Sequence, residues 1–195
     1  NNDRPGVMMA SAVRSYANRF AVAPGQSISV FTNNDDGHRT AMDLSAHGIK
    51  IAAVIDTRAD AVAHGDYPVS AGAQVVNTKG RLGLKAIRVK TALGEQDIAT
   101  DCLAVSGGWN PSVHLTCHMN GRPVWREDIA AFVPAENAIP GMRVAGAAQG
   151  EFSTHGALAS GIETAAAVLA DLGKPPVAIV PPKAEDAPLK ITPFW

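Results

Sequence analysis

The spacing of apolar residues changes period several times along the chain, and each change marks an element. Met9, Val13, Ala17 and Phe20 recur at helical intervals while Arg14, Asn18 and Arg19 face the other way, which predicts an amphipathic helix over residues 7–20. After the turn Ala23-Pro24-Gly25-Gln26, residues 27–31 form a short β-branched run suited to a buried parallel strand. Asn33, Asn34, Asp35 and Asp36 are turn and N-cap residues. Thr40, Ala41, Leu44 and Ala46 fall mostly on one face of a helix over 37–47. Gly48 fits the left-handed position just past a helix end. Residues 49–56 give a second buried strand, so the stretch reads as a right-handed βαβ crossover.

Beyond residue 58 the pattern shortens. Residues 59–64 predict a short helix followed by a loop through Gly65, Pro68 and Gly72. A strand is expected over 73–78 and a turn over 79–81. Residues 84–91 and 96–100 flank Gly94 and should pair as a hairpin or meander. A short buried strand over 103–106 runs into Gly107-Gly108-Trp109-Asn110-Pro111. No period holds between Pro111 and Pro140, where Trp125 and Phe132 are expected to anchor the stretch to the core and Arg126-Glu127-Asp128 to form a solvated face. Residues 143–146 read as a strand, 147–150 as a small-residue turn, and 154–172 as a long helix stopped by Gly173 and Pro175. Ala157, Gly161, Ala165 and Val168 would let that helix lie close to a sheet or to a cofactor backbone. The fold class is α/β, a Rossmann-like βαβ unit with an antiparallel meander.

A crossover of this kind is where a dinucleotide fingerprint is expected, with glycines letting backbone approach a pyrophosphate at a helix N-terminus. The turn here is Thr32-Asn33-Asn34-Asp35-Asp36-Gly37. Its single glycine comes late, and two carboxylates stand where phosphates would sit; they favour the helix dipole but repel a phosphate. Asp56 sits where such folds place a ribose-binding acid, but without the phosphate cradle it reads as a solvated strand-end carboxylate. The unit is expected to be a scaffold that does not itself hold nucleotide.

With 195 residues, a formal net charge of -1 and 46% hydrophobic residues, the chain can bury one substantial core or two small ones. A near-neutral balance with few aromatics argues against a nucleic-acid surface, and no apolar run approaches the roughly 18–20 residues of a membrane span. Cys102 and Cys117 give no disulfide framework, so a reducing cytoplasm is the default location. The chain starts at Asn1 with no visible leader and closes on GKPPVAIVPPKAEDAPLKITPFW, which looks like an interdomain linker. It is therefore read as a piece of a longer protein.

Candidate chemistry is sparse. His114, Cys117 and His118 lie close in sequence but lack the fourth ligand and spacing of a zinc site, so a structural role is expected and no metal is assigned. There is no CxxC for disulfide reduction and no constellation of a hydrolase, so no catalytic residue is assigned. The turn from the 143–146 strand into the 154–172 helix is the second chemical signal. Its helix N-terminus carries no nearby carboxylate but Glu151 and could meet a pyrophosphate or ribose. Gly146 and Gly108 read equally as turn glycines or as places of close backbone approach to a cofactor.

The strings NDRPGVMMASAVRSY, FTNNDDGHRTAMDL, DCLAVSGGWNPSVHL and RVAGAAQGEFSTHGALASGIETAAAVLADLG resemble the alpha subunit of heterotetrameric sarcosine oxidase, over nearly the whole chain. The resemblance implies a pyridine nucleotide-disulfide oxidoreductase-like region. In that arrangement residues 1–24 end a flanking dinucleotide-type domain and 25–106 form an inserted Rossmann-like NAD(P)-type subdomain. Residues 107–173 return to the flanking FAD/NAD-binding-type domain, and 174–195 are a Pro-rich linker. It implies a flavin-dependent complex that oxidises sarcosine to glycine with formaldehyde or methylenetetrahydrofolate and hydrogen peroxide. FAD and FMN serve the full complex, the beta, gamma and delta subunits and tetrahydrofolate are partners, and NAD is bound to the alpha subunit. By the same resemblance Ala147, Phe152 and Thr154 are candidate NAD contacts, with Gly146 and Gly108 beside them. An NAD(P)H-dependent flavin reductase domain and a non-catalytic interaction module of Rossmann shape are the alternatives.

Overall fold

Parallel pairing organises the first hundred residues in the computed structural model, which describes residues 4–175, 177–186 and 189–194. The elements in chain order are β1 (Val7–Met9), α1 (Ala10–Phe20), β2 (Ser27–Thr32), α2 (Asp35–Ala46), β3 (Lys50–Asp56) and β4 (Val69–Ala71). A meander of β5 (Gln74–Lys79), β6 (Ala86–Thr91) and β7 (Gly94–Ala99) precedes β8 (Cys102–Ser106). The central sheet runs β1-β8-β2-β3-β4, all parallel, and β5-β6-β7 form a separate antiparallel sheet. Residues 189–194 complete this first unit, and residues 109–186 form a second.

Alternation along the strands builds two cores. Ile28, Val30, Cys102 and Ala104 face α1 and α2, packing with Val13, Ala17, Ala41 and Leu44. Ala53, Ile55 and Leu103 face the other way and pack on Leu84, Ile87 and Val89 of the meander region. The register of β3 on β2 shifts between Ile28 and Ser29, which carries Ile51 and Val54 to the helix side and leaves Ala53 and Ile55 on the meander side. Each fully buried Ile, Val or Leu contributes on the order of 1.5–3 kcal/mol.

The βαβ unit and the meander form as the pattern predicts, with differences at element ends. Residues 7–9 are a strand, not helix, because they pair in register with Leu103–Val105 of β8. The helical stripe then begins at Ala10, and Met9 and Phe20 lie outside the buried face. No helix forms over 59–64: the Arg58 carbonyl accepts Gly72 N–H at 2.9 Å as well as Ala61 N–H at 3.5 Å, so the turn stops after one loop. That closure lays Val69–Ala71, expected as loop, beside Val54–Asp56 as an edge strand.

In the second unit, the irregular stretch contains α3 (His114–His118) and a hairpin of β9 (Pro123–Arg126) and β10 (Ala131–Pro134). Trp125 and Phe132 are cross-strand partners with ring centroids 5.1 Å apart. They clasp this hairpin instead of anchoring it to a core, and Phe132 remains half exposed. Arg126 and Asp128 pair at the surface, as expected of a solvated face. Residues 143–145 lack a ladder partner and form no strand, since the unit's only sheet among the described residues is the hairpin. A 3-10 turn, Gly146–Gln149, leads to α4 (Thr154–Asp171), capped by Ser153. Residues 174, 175 and 177–186 carry no regular secondary structure.

Candidate functional site

At the carboxyl end of β2 the chain turns into α2 around a fully buried Asn34. Its Oδ1 accepts from Asp36 N–H at 3.0 Å and Gly37 N–H at 3.2 Å, and from Ser106 Oγ at 3.1 Å. Its Nδ2 donates to Asn33 Oδ1 and to the Ser106 carbonyl. Thr32 Oγ1 closes the turn by bonding Asn34 through both N–H and C=O. The helix therefore starts at Asp35, two residues before the predicted position, because the Asn34 cap and its first-turn carboxylates are part of it. A Cβ at Gly37 would overlap the Thr32 side chain, so this glycine serves packing of the turn. The amides that would face a diphosphate already have partners: Asp36 and Gly37 bond Asn34, and Asp35 N–H donates to the Lys190 carbonyl at 3.0 Å.

Asp56 is not a solvated strand-end acid. It is wholly buried, and His38 Nε2 lies 2.8 Å from its Oδ2. Arg58 donates from Nε and from its backbone N–H to Oδ1, and from Nη2 to Oδ2, while Nη1 reaches Asp35 at 2.7 Å. Burial pushes the Asp56 carboxyl up, but hydrogen bonds from His38 and Arg58 outweigh it and hold the group below the usual carboxylate range. Asp35 is lowered in the same way, with burial opposed by Arg58 and the Lys190 amide. For Arg58, burial is outweighed by Asp56 and Asp35, and the guanidinium is held more firmly protonated. His64 stands edge-on to His38 at 5.1 Å. A cavity of about 350 Å³ beside this network is lined by His38, Met42, Arg58, Asp60, His64 and Lys190. Both carboxylate oxygens of Asp56 are engaged, so the acid is committed to the fold.

In the second unit the sequence-predicted residues gather around the start of α4. Gly146 opens the 3-10 turn with φ of +62°, and its N–H donates to Ser160 Oγ at 3.1 Å. Ala147 is the next residue of that turn, its carbonyl accepting from Gly150 N–H. Phe152 is half-buried in the connection, and Thr154 is the exposed first residue of α4. Ser153 Oγ caps Gly156 N–H at 3.0 Å. Asp186 Oδ1 accepts from His155 N–H at 3.1 Å, which puts a carboxylate at a helix start that the sequence showed as nearly free of them. Hydrogen bonds from the His155 backbone lower the Asp186 carboxyl. A polar cavity of about 560 Å³ adjoins this turn, lined by Arg126, Arg143, Gln149, Glu151, Gly156 and Ser160. Gly146, Ala147, Phe152 and Thr154 lie next to it in the chain and do not line it. Gly108 belongs to the first unit, with φ of +97°, and Ile191 fills the space beside its Cα.

His38, Arg58 and Asp186 had no sequence signature, because their partners lie far away in the chain or carry no motif. Among the described residues, no cluster of His, Cys, Asp or Glu is arranged to hold a metal, and no helix is long and apolar enough to cross a membrane.

No family model matches the chain. It is 40% identical over 198 residues to sarcosine oxidase subunit alpha of Rhizobium meliloti (strain 1021), a match that covers 100% of this chain and 20% of that subunit. The chain is similar throughout to a stretch of sarcosine oxidase subunit alpha. The subunit of the same name from Corynebacterium sp. (strain U-96) is 41% identical over 213 residues, with 99% of this chain and 22% of the relative covered. The chain thus spans about a fifth of the length of the curated relatives it matches. Among solved structures, L-proline dehydrogenase from P. horikoshii superposes with a TM-score of 0.67 at 20% identity, over 91% of this chain and 32% of that one. Thioredoxin reductase from T. acidophilum gives 0.65 at 17% identity, over 87% and 59%. At these identities the likeness is one of fold, and it matches the α/β class read from the sequence.

Proposed function

We propose that this chain is part of the alpha subunit of a heterotetrameric sarcosine oxidase, where it supplies scaffold and part of a bound-NAD site. The observation that carries the reading is identity near 40% sustained from one end of the chain to the other. The complete cytoplasmic assembly, with beta, gamma and delta subunits, oxidises sarcosine or a related N-methyl amine. Its products are glycine, hydrogen peroxide and either formaldehyde or methylenetetrahydrofolate. FAD and FMN belong to that assembly, and the amine-oxidation site lies outside this chain. Within it, residues 25–106 are the inserted Rossmann-like subdomain. Residues 7–20 and 189–194 also belong to that subdomain, since β1 pairs with β8, α1 packs on its core and Ile191 bridges Asn34. Residues 109–173 belong to the flanking dinucleotide-type domain, and the Pro-rich stretch after 173 is the linker up to residue 186.

The residues around Gly146–Thr154 suit an adenine dinucleotide by their chemistry at a helix start, where the His155 amide takes an oxygen acceptor, at present the Asp186 carboxylate, which a diphosphate would have to displace. Gly146 and Ala147 would offer backbone to the coenzyme, Phe152 an apolar surface, and Thr154 a hydroxyl for ribose or phosphate. Gly108 is left out of this site: it belongs to the first unit, and Ile191 occupies the space beside it. NAD, a hydride carrier in general, would be resident here, and no hydride step is assigned to it. The reductase alternative asks the early crossover to bind a diphosphate, and the amides it needs are bonded to Asn34 and Lys190.

The test is cofactor extraction from the complete oxidase. Ala147→Leu combined with Thr154→Val should reduce recovered NAD several-fold while FAD and FMN stay at wild-type content. Unchanged NAD would move the site elsewhere, and an oxidase that yields no NAD at all would remove the reading.

A further inference from the structure

We infer that the mouth of the parallel sheet in the first unit is a peptide-recognition groove, whose ligand is an extended segment of the type Lys-Ile-x-x-Phe, here residues 190–194 of the chain itself. The inference rests on the first unit alone and is independent of the NAD reading. Parallel α/β sheets bind ligands at the carboxyl ends of their strands, and here that place lies beyond β2 and β8. An extended backbone segment fills it through one antiparallel bridge to the β2–α2 turn, in the manner of peptide recognition where main-chain bonds give affinity and alternate side chains give specificity. Ile191 bridges Asn34 in antiparallel sense. Thr192 N–H donates to the Asn33 carbonyl and Asp35 N–H to the Lys190 carbonyl, each at 3.0 Å. Asn33 Nδ2 donates to the Thr192 carbonyl at 2.8 Å, and Arg58 Nη1 to the Lys190 carbonyl at 3.0 Å.

Side chains add sequence preference. Asp35 Oδ2 accepts the Lys190 N–H at 2.7 Å, and the Lys190 ammonium pairs with Asp60. The rim is thus acidic where the ligand is basic, the opposite of what a diphosphate requires. Ile191 seats over Gly108, where any Cβ would collide with it. Phe194 meets the Phe31 ring edge-on, with centroids 6.1 Å apart. Gly108 and Asn33, on which no coenzyme reading of the first unit depends, acquire a shared role as receptors for one strand.

Hydrogen exchange on the full chain tests this. Ile191→Asp and Thr192→Pro, the second a change at an exposed residue that removes its N–H and stiffens the segment at 191–192, should each raise exchange at the Asp35 amide at least about tenfold. Val30 and Val54 amides should not change. Adding the synthetic peptide LKITPF to the Ile191→Asp protein should restore Asp35 protection saturably, and the analogue with Glu in place of Lys should not. If Ile191→Asp also loosens Val30 and Val54, the Thr192→Pro protein carries the same peptide titration. Unaltered Asp35 protection in both variants, failure of the peptide to restore it, or restoration by NADH in competition with the peptide would each overturn the inference.

Discussion

His38 Nε2 and Asp56 Oδ2 are 2.8 Å apart, with no more than 2% of either residue open to solvent, and Arg58 closes the same carboxylate from the other side. A buried charge of this kind costs little while its partners are complete and a great deal once one is removed. Asp56→Ala should therefore destabilise the first unit by about 3–5 kcal/mol, since it takes the buried acceptor from the His38 ring and from Arg58 Nε and Nη2, leaving the guanidinium only its Nη1 bonds to Asp35 and the Lys190 carbonyl. Urea unfolding followed by circular dichroism measures it. A loss below about 1 kcal/mol would mean that water reaches Arg58 and the network is ornamental to stability.

Acid should act through the same residues. Asp56 and Asp35 have carboxyl groups held below their ordinary values. A depressed carboxylate contributes stability that is fully present above its unfolded value and lost as pH falls through its folded value. The melting temperature should thus hold steady from neutral pH to about 5 and fall below about 4. Asp56→Asn should start from a lower melting temperature and show a shallower acid decline. A wild-type protein whose melting temperature rises on acidification would contradict the sign of this linkage.

The two thiols should be told apart by reagent. Cys102 is fully buried in β8 between sheet and helices, and burial, with Asp101 nearby, pushes it up to about 11. The thiolate is the nucleophile, so this residue should be inert at neutral pH. Cys117 on α3 is exposed. A chromogenic disulfide should consume one thiol in native protein and a second only in denaturant, and two fast equivalents in native protein would show that the β8 face opens.

Asn34 shows how much of the fold was readable and where reading stopped. Its residue type, ahead of a helical period, marks an N-cap, and both strands around it follow from short β-branched runs. The same holds for the long period of α4 and for the meander around Gly94. What stayed hidden is long-range. Nothing in Val7–Met9 announces that β8, almost a hundred residues on, will take it as a parallel partner. Nothing in Asp56 announces His38 and Arg58, so an acid at a strand end reads as solvated until the fold brings cations to it. Asp186 and Lys190, in a proline-rich stretch with no period, reach the starts of α4 and α2, and composition alone describes that stretch as a linker.

Asn34 also carries a prediction. Replacing it with Ala removes the acceptor for Asp36 and Gly37 and leaves Ser106 Oγ and the Ser106 carbonyl without their buried partner. The lost cap costs about 0.5–2 kcal/mol and an unsatisfied buried group about 1–3. The Asn34→Ala protein should lose about 2–4 kcal/mol in urea. Asn34→Asp keeps the cap but cannot donate to Ser106, so it should fall between the two. Equal losses for Ala and Asp would assign the whole effect to the Nδ2 side.

Coenzyme affinity of this chain by itself follows from the start of α4. The amide of His155 is engaged by the chain's own Asp186, and a carboxylate there repels a diphosphate as well as displacing it. Gly146, Ala147, Phe152 and Thr154 offer one turn and one helix end, whereas a dinucleotide is gripped along its whole length. Isothermal titration of NAD into the chain should therefore show affinity weaker than about 10 μM. Asp186→Ala removes the resident anion and should strengthen whatever binding is detectable, without reaching the micromolar range. Micromolar affinity in the unaltered chain would mean that the complete cradle lies within these residues, and weaker binding after Asp186→Ala would mean that this carboxylate helps to hold the coenzyme.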